Sequence, residues 1–158
     1  PILIAKGDIG PTGQLTAVLA VDHSHYGERC LERFISLRPK GLKKVFVVTA
    51  LHPDIGKDPI LRHHLPDIEG DVQGWMQSHL SEKNEEVVKV LKQEGIEAEA
   101  EVLIGHPNDV IRSAMVEEKA DLLVMGAQGH GFIQRLMIGS VSLHQVTSEP
   151  YTVLLMRV

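Results

Sequence analysis

Cysteine is nearly missing: Cys30 is the single one among 158 residues. No disulfide can form within the chain, and a reducing, cytoplasmic setting is the expectation. No stretch approaches the roughly eighteen apolar residues that a membrane-spanning helix needs, so no membrane insertion is expected. The opening Pro1-Ile2-Leu3-Ile4-Ala5-Lys6 shows neither a basic leader nor a long apolar run. Positive charge is also short. Sixteen Lys and Arg against 21 Asp and Glu give a net charge of -5, which argues against a nucleic-acid partner, because binding a phosphate backbone draws on an excess of cations. The lysine of a G-x4-G-K-[ST] phosphate loop is absent. Nine histidines are present, yet none shows metal-ligand spacing. His63 and His64 are adjacent and cannot face one point from a helix or strand, and His23 and His25 flank Ser24 in a loop. Solvated histidines and no metal site are expected.

What is there suits one domain with a sizeable core. Apolar residues make up 43% and charged residues 23%, an ordinary globular balance. Short apolar runs alternate with helical patterns. Strands are expected at Leu15–Val21, Val45–Ala50, Ala98–Ile104, Leu122–Met125 and Tyr151–Val158. Helices are expected at Gly27–Leu37, from Trp75 to Gln93, after Pro107, and at Ser140–Ser148, where Pro150 breaks the last. Gly95 reads as a helix stop. Leu80, Val87, Val90 and Leu91 should form the buried face of the long helix, and Trp75 should pack in the core. Cys30, beside Leu31 and Phe34, reads as a small buried side chain. The stretch from Asp54 to Gly74, rich in Pro, Gly and His, reads as a loop that could cover a ligand or meet a partner.

The β-α alternation predicts an α/β fold: a doubly wound, mostly parallel five-stranded sheet with helices on both faces. Ligands of such folds bind beyond the C-terminal strand ends. Asp22, the residues after Ala50 and the loop at Gly126 all fall there. Met125-Gly126-Ala127-Gln128-Gly129 follows the strand at Leu122, and Gly139-Ser140 opens a helical stretch nine residues later. Glycines where a strand turns, followed by a helix N-terminus with a hydroxyl, suit an anionic phosphate.

This G-x2-G-x9-G-S pattern resembles the nucleotide-binding signature of the universal stress protein family. The likeness extends to Ala20-Val21-Asp22 and Gly105-His106-Pro107, and covers about Leu15 to Val158. It implies a Rossmann-like fold of the adenine nucleotide alpha hydrolase-like type, and the branch of the family that binds ATP, with or without magnesium. By resemblance, Gly126, Gly129, Gly139 and Ser140 would cradle the triphosphate, with Val141 and Ser142 alongside. Asp22 would sit near the nucleotide, and Ala20, Val21, Ala50 and Met125 would line the adenine pocket. His23 falls close by, within reach of a phosphate or ribose. The sequence departs from the family at Ala127, where Ser or Thr is frequent, and at His130, where Arg is frequent; Arg135 lies in the same loop.

The function implied is an ATP-binding regulatory module in stress response. Its occupancy would shift the Gly126–Gly139 loop or a dimer contact, and an unidentified protein partner would read the change. Alternatives are a slow ATP hydrolase or phosphotransferase, or a regulatory appendage of a larger transporter or tandem-repeat protein. No catalytic residue is assigned. Family likeness also implies a homodimer through the apolar C-terminal strand, whose bare edge needs cover. Residues 1–14 precede the domain at 15–158. Pro1–Lys6 is similar to the family's closing strand and Asp8–Gln14 to a linker, so the extension is either the end of a preceding domain or an added edge strand.

Overall fold

Alternating strand and helix signals become one open α/β sheet in the computed structural model, which describes residues 1–6, 14–55, 71–128 and 138–158. In chain order the strands are β1 (Ile2–Ile4), β2 (Leu15–Ala20), β3 (Leu42–Leu51), β4 (Glu97–Ile104), β5 (Leu122–Gly126) and β6 (Thr152–Met156). The helices are α1 (His25–Ser36), α2 (Val72–Gln93), α3 (Pro107–Glu117) and α4 (Ser140–Ser148). The sheet order is β1-β6-β5-β2-β3-β4. All neighbours pair parallel except β1, which runs antiparallel to β6 with Ile2, Leu3 and Ile4 opposite Leu155, Leu154 and Val153.

Each inner strand is buried on both faces, so its side chains alternate between two cores. Ala17, Leu19, Val45 and Val47 face Cys30 and Phe34 of α1 and Val87, Val88 and Leu91 of α2. Val18, Phe46, Val48 and Leu123 face Val110, Ile111, Ala114 and Met115 of α3. Helices therefore cover both faces, as a doubly wound sheet requires. Gly95 ends α2 with φ +78°, and the amides of Gly95 and Ile96 return to the carbonyls of Lys92 and Leu91. That left-handed turn is one glycine adopts without strain.

The structure corrects several expectations. The sheet has six strands, because Ile2–Ile4 takes the outer edge of β6. An edge strand was one of the two readings given for this segment, and the backbone of β6 supplies its partner. Lys6 anchors it: its backbone exchanges hydrogen bonds with the Thr152 hydroxyl, and its ammonium donates to the carbonyls of Val146 and Glu149 at the end of α4. Helix α2 starts at Val72, inside the stretch read as a loop, with the Asp71 carboxylate accepting from the Gly74 amide at 2.8 Å. Val90 faces outward and Val88 inward. Trp75 is 40% exposed and stacks on His79 rather than in the core. What the sequence led one to expect of residues 56–70, His63 and His64 among them, lies outside the described residues.

Candidate functional site

Strands β2 and β5 are neighbours, yet the chain leaves β2 towards β3 on one side and returns to β5 on the other. This reversal leaves a crevice at their C-terminal ends. A cavity of about 680 Å³ opens there, within the range usual for small-molecule sites. Ten of the eleven residues expected at the site line it: Ala20, Val21 and Asp22 after β2, Ala50 on β3, Met125 and Gly126 on β5, and Gly139, Ser140, Val141 and Ser142 at the start of α4. The eleventh, Gly129, lies outside the described residues, as do His130 and Arg135.

Asp22 is held by the chain immediately after it. Its Oδ1 accepts from the Ser24 amide at 3.1 Å and the Ser24 hydroxyl at 2.7 Å. Ser24 in turn caps α1, its Oγ accepting from the Gly27 amide at 3.0 Å. A Cβ on Gly27 would lie 2.6 Å from Asp22 Oδ1, so the glycine makes room for the carboxylate against α1.

Helix α4 points its N-terminus at the cavity. The Gly139 amide is committed to the Ala127 carbonyl at 2.7 Å, and no side chain caps the helix among the described residues. The first-turn amides of Ser140, Val141 and Ser142 are thus the donors a helix N-terminus leaves open. The Ser142 hydroxyl, 3% exposed, donates to the Gly126 carbonyl at 2.8 Å. It ties the helix to the end of β5 instead of projecting into the space. Gly126 itself is tight: a Cβ there would stand 3.1 Å from the Gln128 carbonyl and 3.4 Å from the Tyr26 ring.

His23 is half-buried and does not line the cavity. Its backbone sits at φ +56°, and the ring turns back between β3 and α2. There Nε2 lies 2.9 Å from Asn84 Oδ1 and 3.2 Å from Thr49 Oγ1. Burial pushes the pKa of the ring below its usual value, the hydrogen bond to Asn84 opposes this, and nearby Lys83 adds to the lowering. His52 does line the cavity, edge-on to His106. Among the described residues, no three His, Cys, Asp or Glu side chains are grouped to hold a metal ion.

Sequence reasoning missed several wall residues. Thr49 and Leu31 line the cavity, as do Met76 and Leu80 of α2 and Ile111 of α3. Met76 and Leu80 are four apart on one helix face, a visible signal, but nothing in that spacing says that the face meets the strand ends.

A profile of the universal stress protein family matches residues 16–157. The chain belongs to the universal stress protein family. A universal stress protein of Synechocystis sp. is 24% identical over 155 residues, covering 89% of this chain and 96% of that protein. Among solved structures, a universal stress protein from Lactobacillus plantarum superposes with a TM-score of 0.64 at 18% identity, covering 91% of this chain and 99% of the other. The universal stress protein from Archaeoglobus fulgidus, solved in complex with dAMP, gives 0.59 at 24% identity, covering 90% and 98%. Within this family frame, Ala127 is 7% exposed. Its amide donates to the Met156 carbonyl at 2.9 Å while its carbonyl accepts from Gly139. Backbone bonds therefore join Gly139 to Ala127 and Ala127 to β6.

Proposed function

We propose that this universal stress protein domain binds an adenine nucleotide, ATP foremost, and serves as a nucleotide-responsive regulatory module in the cytoplasm. The observation that carries the reading is convergence. An apolar slot, one carboxylate and an uncapped helix N-terminus meet in one cavity at the reversal point of the sheet. The phosphates would lie against the first-turn amides of α4 and the turn at Gly126, where the helix dipole favours negative charge. The base would lie against Ala20, Val21, Ala50 and Met125, and the ribose towards Asp22. Ser142 would contribute by fixing α4 to β5. A triphosphate can bring its own magnesium ion, held largely by its phosphates. The dAMP complex of the Archaeoglobus relative supports an adenine nucleotide as the ligand class. Because β1 covers the outer edge of β6, the homodimer expected through the C-terminal strand would instead meet at β1, the outermost strand of that end.

Small molecules released by acid from freshly purified protein, together with calorimetric titration with ATP in the presence and absence of magnesium, test the site. ATP or ADP is expected from the original chain and none from a folded Gly139→Trp variant, whose indole would fill the phosphate end. Neither released nucleotide nor binding heat from the original chain would sink the proposal.

A further inference from the structure

We propose that His23, which touches no ligand, is the positioning residue that holds the Asp22 loop and the Thr49 wall of the nucleotide site in register. The inference rests on the nucleotide reading above but has its own test.

The argument starts from hydrogen-bond bookkeeping around Asn84, which is 1% exposed on α2. Its side-chain amide nitrogen donates to the Glu101 carbonyl of β4 at 3.1 Å. Its Oδ1 must therefore be the atom facing Thr49 and His23. The Thr49 hydroxyl donates to that oxygen at 2.8 Å. A side-chain amide oxygen can only accept, so His23 Nε2 at 2.9 Å carries a proton and donates. The neutral ring is the Nε2–H tautomer, and Nδ1 is the site a second proton would take.

Three elements meet in this knot. Asn84 belongs to α2, Thr49 to β3, and His23 to the turn between β2 and α1. Thr49 and Asp22 both line the cavity, whereas His23 and Asn84 stand behind its wall. His23 also holds a left-handed backbone, φ +56°, which a residue other than glycine adopts only when its surroundings impose it. The ring bonded to Asn84 supplies that constraint. The turn then presents Asp22 to the cavity and hands the chain to Ser24, the cap of α1.

The charged groups around the ring are Lys83 on α2, Asp22 in its own turn and Glu28 on α1. Thr49 and Asn84, its hydrogen-bond partners, carry no charge. Burial and Lys83 disfavour the imidazolium, and the hydrogen bond to Asn84 and the two carboxylates favour it; burial is the largest effect, and the balance is a lowered pKa. The imidazolium keeps its Nε2–H, so the hydrogen bond to Asn84 survives protonation; what a falling pH adds is a charge at Nδ1 that burial opposes. With the folded pKa below the unfolded one, this costs the folded turn stability as pH falls from about 6.5 through the folded pKa.

Two variants separate the contact from the fold. His23→Asn tolerates the left-handed backbone but is too short to reach Asn84. His23→Gln places an amide donor where Nε2 stands and does not titrate. Titration with ATP at pH 7.5 should show His23→Asn about tenfold weaker than the original chain, the cost of about one buried hydrogen bond, and His23→Gln within about twofold of it. Wild-type affinity in His23→Asn, or a His23→Gln variant as weak as His23→Asn, would overturn the proposal. If the original chain fails to bind ATP, the nucleotide reading falls separately, and NMR of the ligand-free protein decides this one. The amides of Asp22 and Ser24 and the side-chain amide of Asn84 should titrate with the His23 ring and move in His23→Asn. Signals indifferent to both would refute it.

Discussion

At the scale of the residue, Gly27 is where packing and ligand chemistry separate most cleanly. It is the third residue of α1, a position where alanine is normally the better helix former by about 1 kcal/mol. The methyl group, however, would stand 2.6 Å from Asp22 Oδ1 and 3.3 Å from Ser24 Oγ, and the carboxylate would have to yield. Gly27→Ala should therefore keep its denaturation midpoint or raise it while ATP binding weakens several-fold. Unchanged affinity in a folded variant would show that the placement of Asp22 is not what the ligand senses. Residues of this kind were legible in part. Asp22, Gly126 and Gly139 are turn and cap positions whose chemistry is local to the chain, so their neighbourhood announces them. Asn84 was not seen, although it breaks the apolar stripe of Leu80, Val88 and Leu91 as its only polar member. Thr49 could not be seen at all, because its place at the cavity depends on how α2 crosses the sheet.

At the scale of the element, the inner strands were legible because burial on both faces gives continuous apolar runs. β1 was legible only as one of two readings of residues 1–14, because three residues fold only as part of something else. Its attachment reaches further than its length. Lys6 donates to two carbonyls at the end of α4, the helix whose opposite end faces the cavity. A cation at a helix C-terminus also complements the dipole. Lys6→Met should cost about 1 kcal/mol of stability, seen as a lower midpoint in urea with an unchanged m-value. A variant as stable as the original chain would mean that backbone pairing with β6 alone retains β1. Further along, α4 rests on a buried polar cluster. Glu149, 6% exposed, accepts from Arg112 at 2.6 Å, and that bond holds its pKa below the ordinary carboxylate value. This contribution is present above the unfolded carboxylate pKa and is lost as pH falls through the lower folded value.

At the scale of the whole molecule, the sheet has two ends, and they are chemically opposite. On β4, Glu97, Glu99 and Glu101 alternate along the outer strand, all three exposed. Repeated like charges of this sort discourage a second strand from adding on. On β1, Ile2 and Leu3 are 53% and 56% exposed, with no acidic residue beside them in the strand. Self-association should therefore use the β1–β6 end and leave the β4 end bare. Light scattering should give twice the mass of one chain for the original protein and a single mass for an Ile2→Lys, Leu3→Lys variant. Replacing the three β4 glutamates with glutamine should not be needed for the dimer to form. A monomer at high protein concentration would refute the dimer. A dimer that survives both lysines would place the contact elsewhere. Because β1 is joined through Lys6 to α4, and α4 begins at the cavity, a dimer at this end would have a physical route to the nucleotide. Its mass should then shift with added ATP in the original chain and do so less in Lys6→Met.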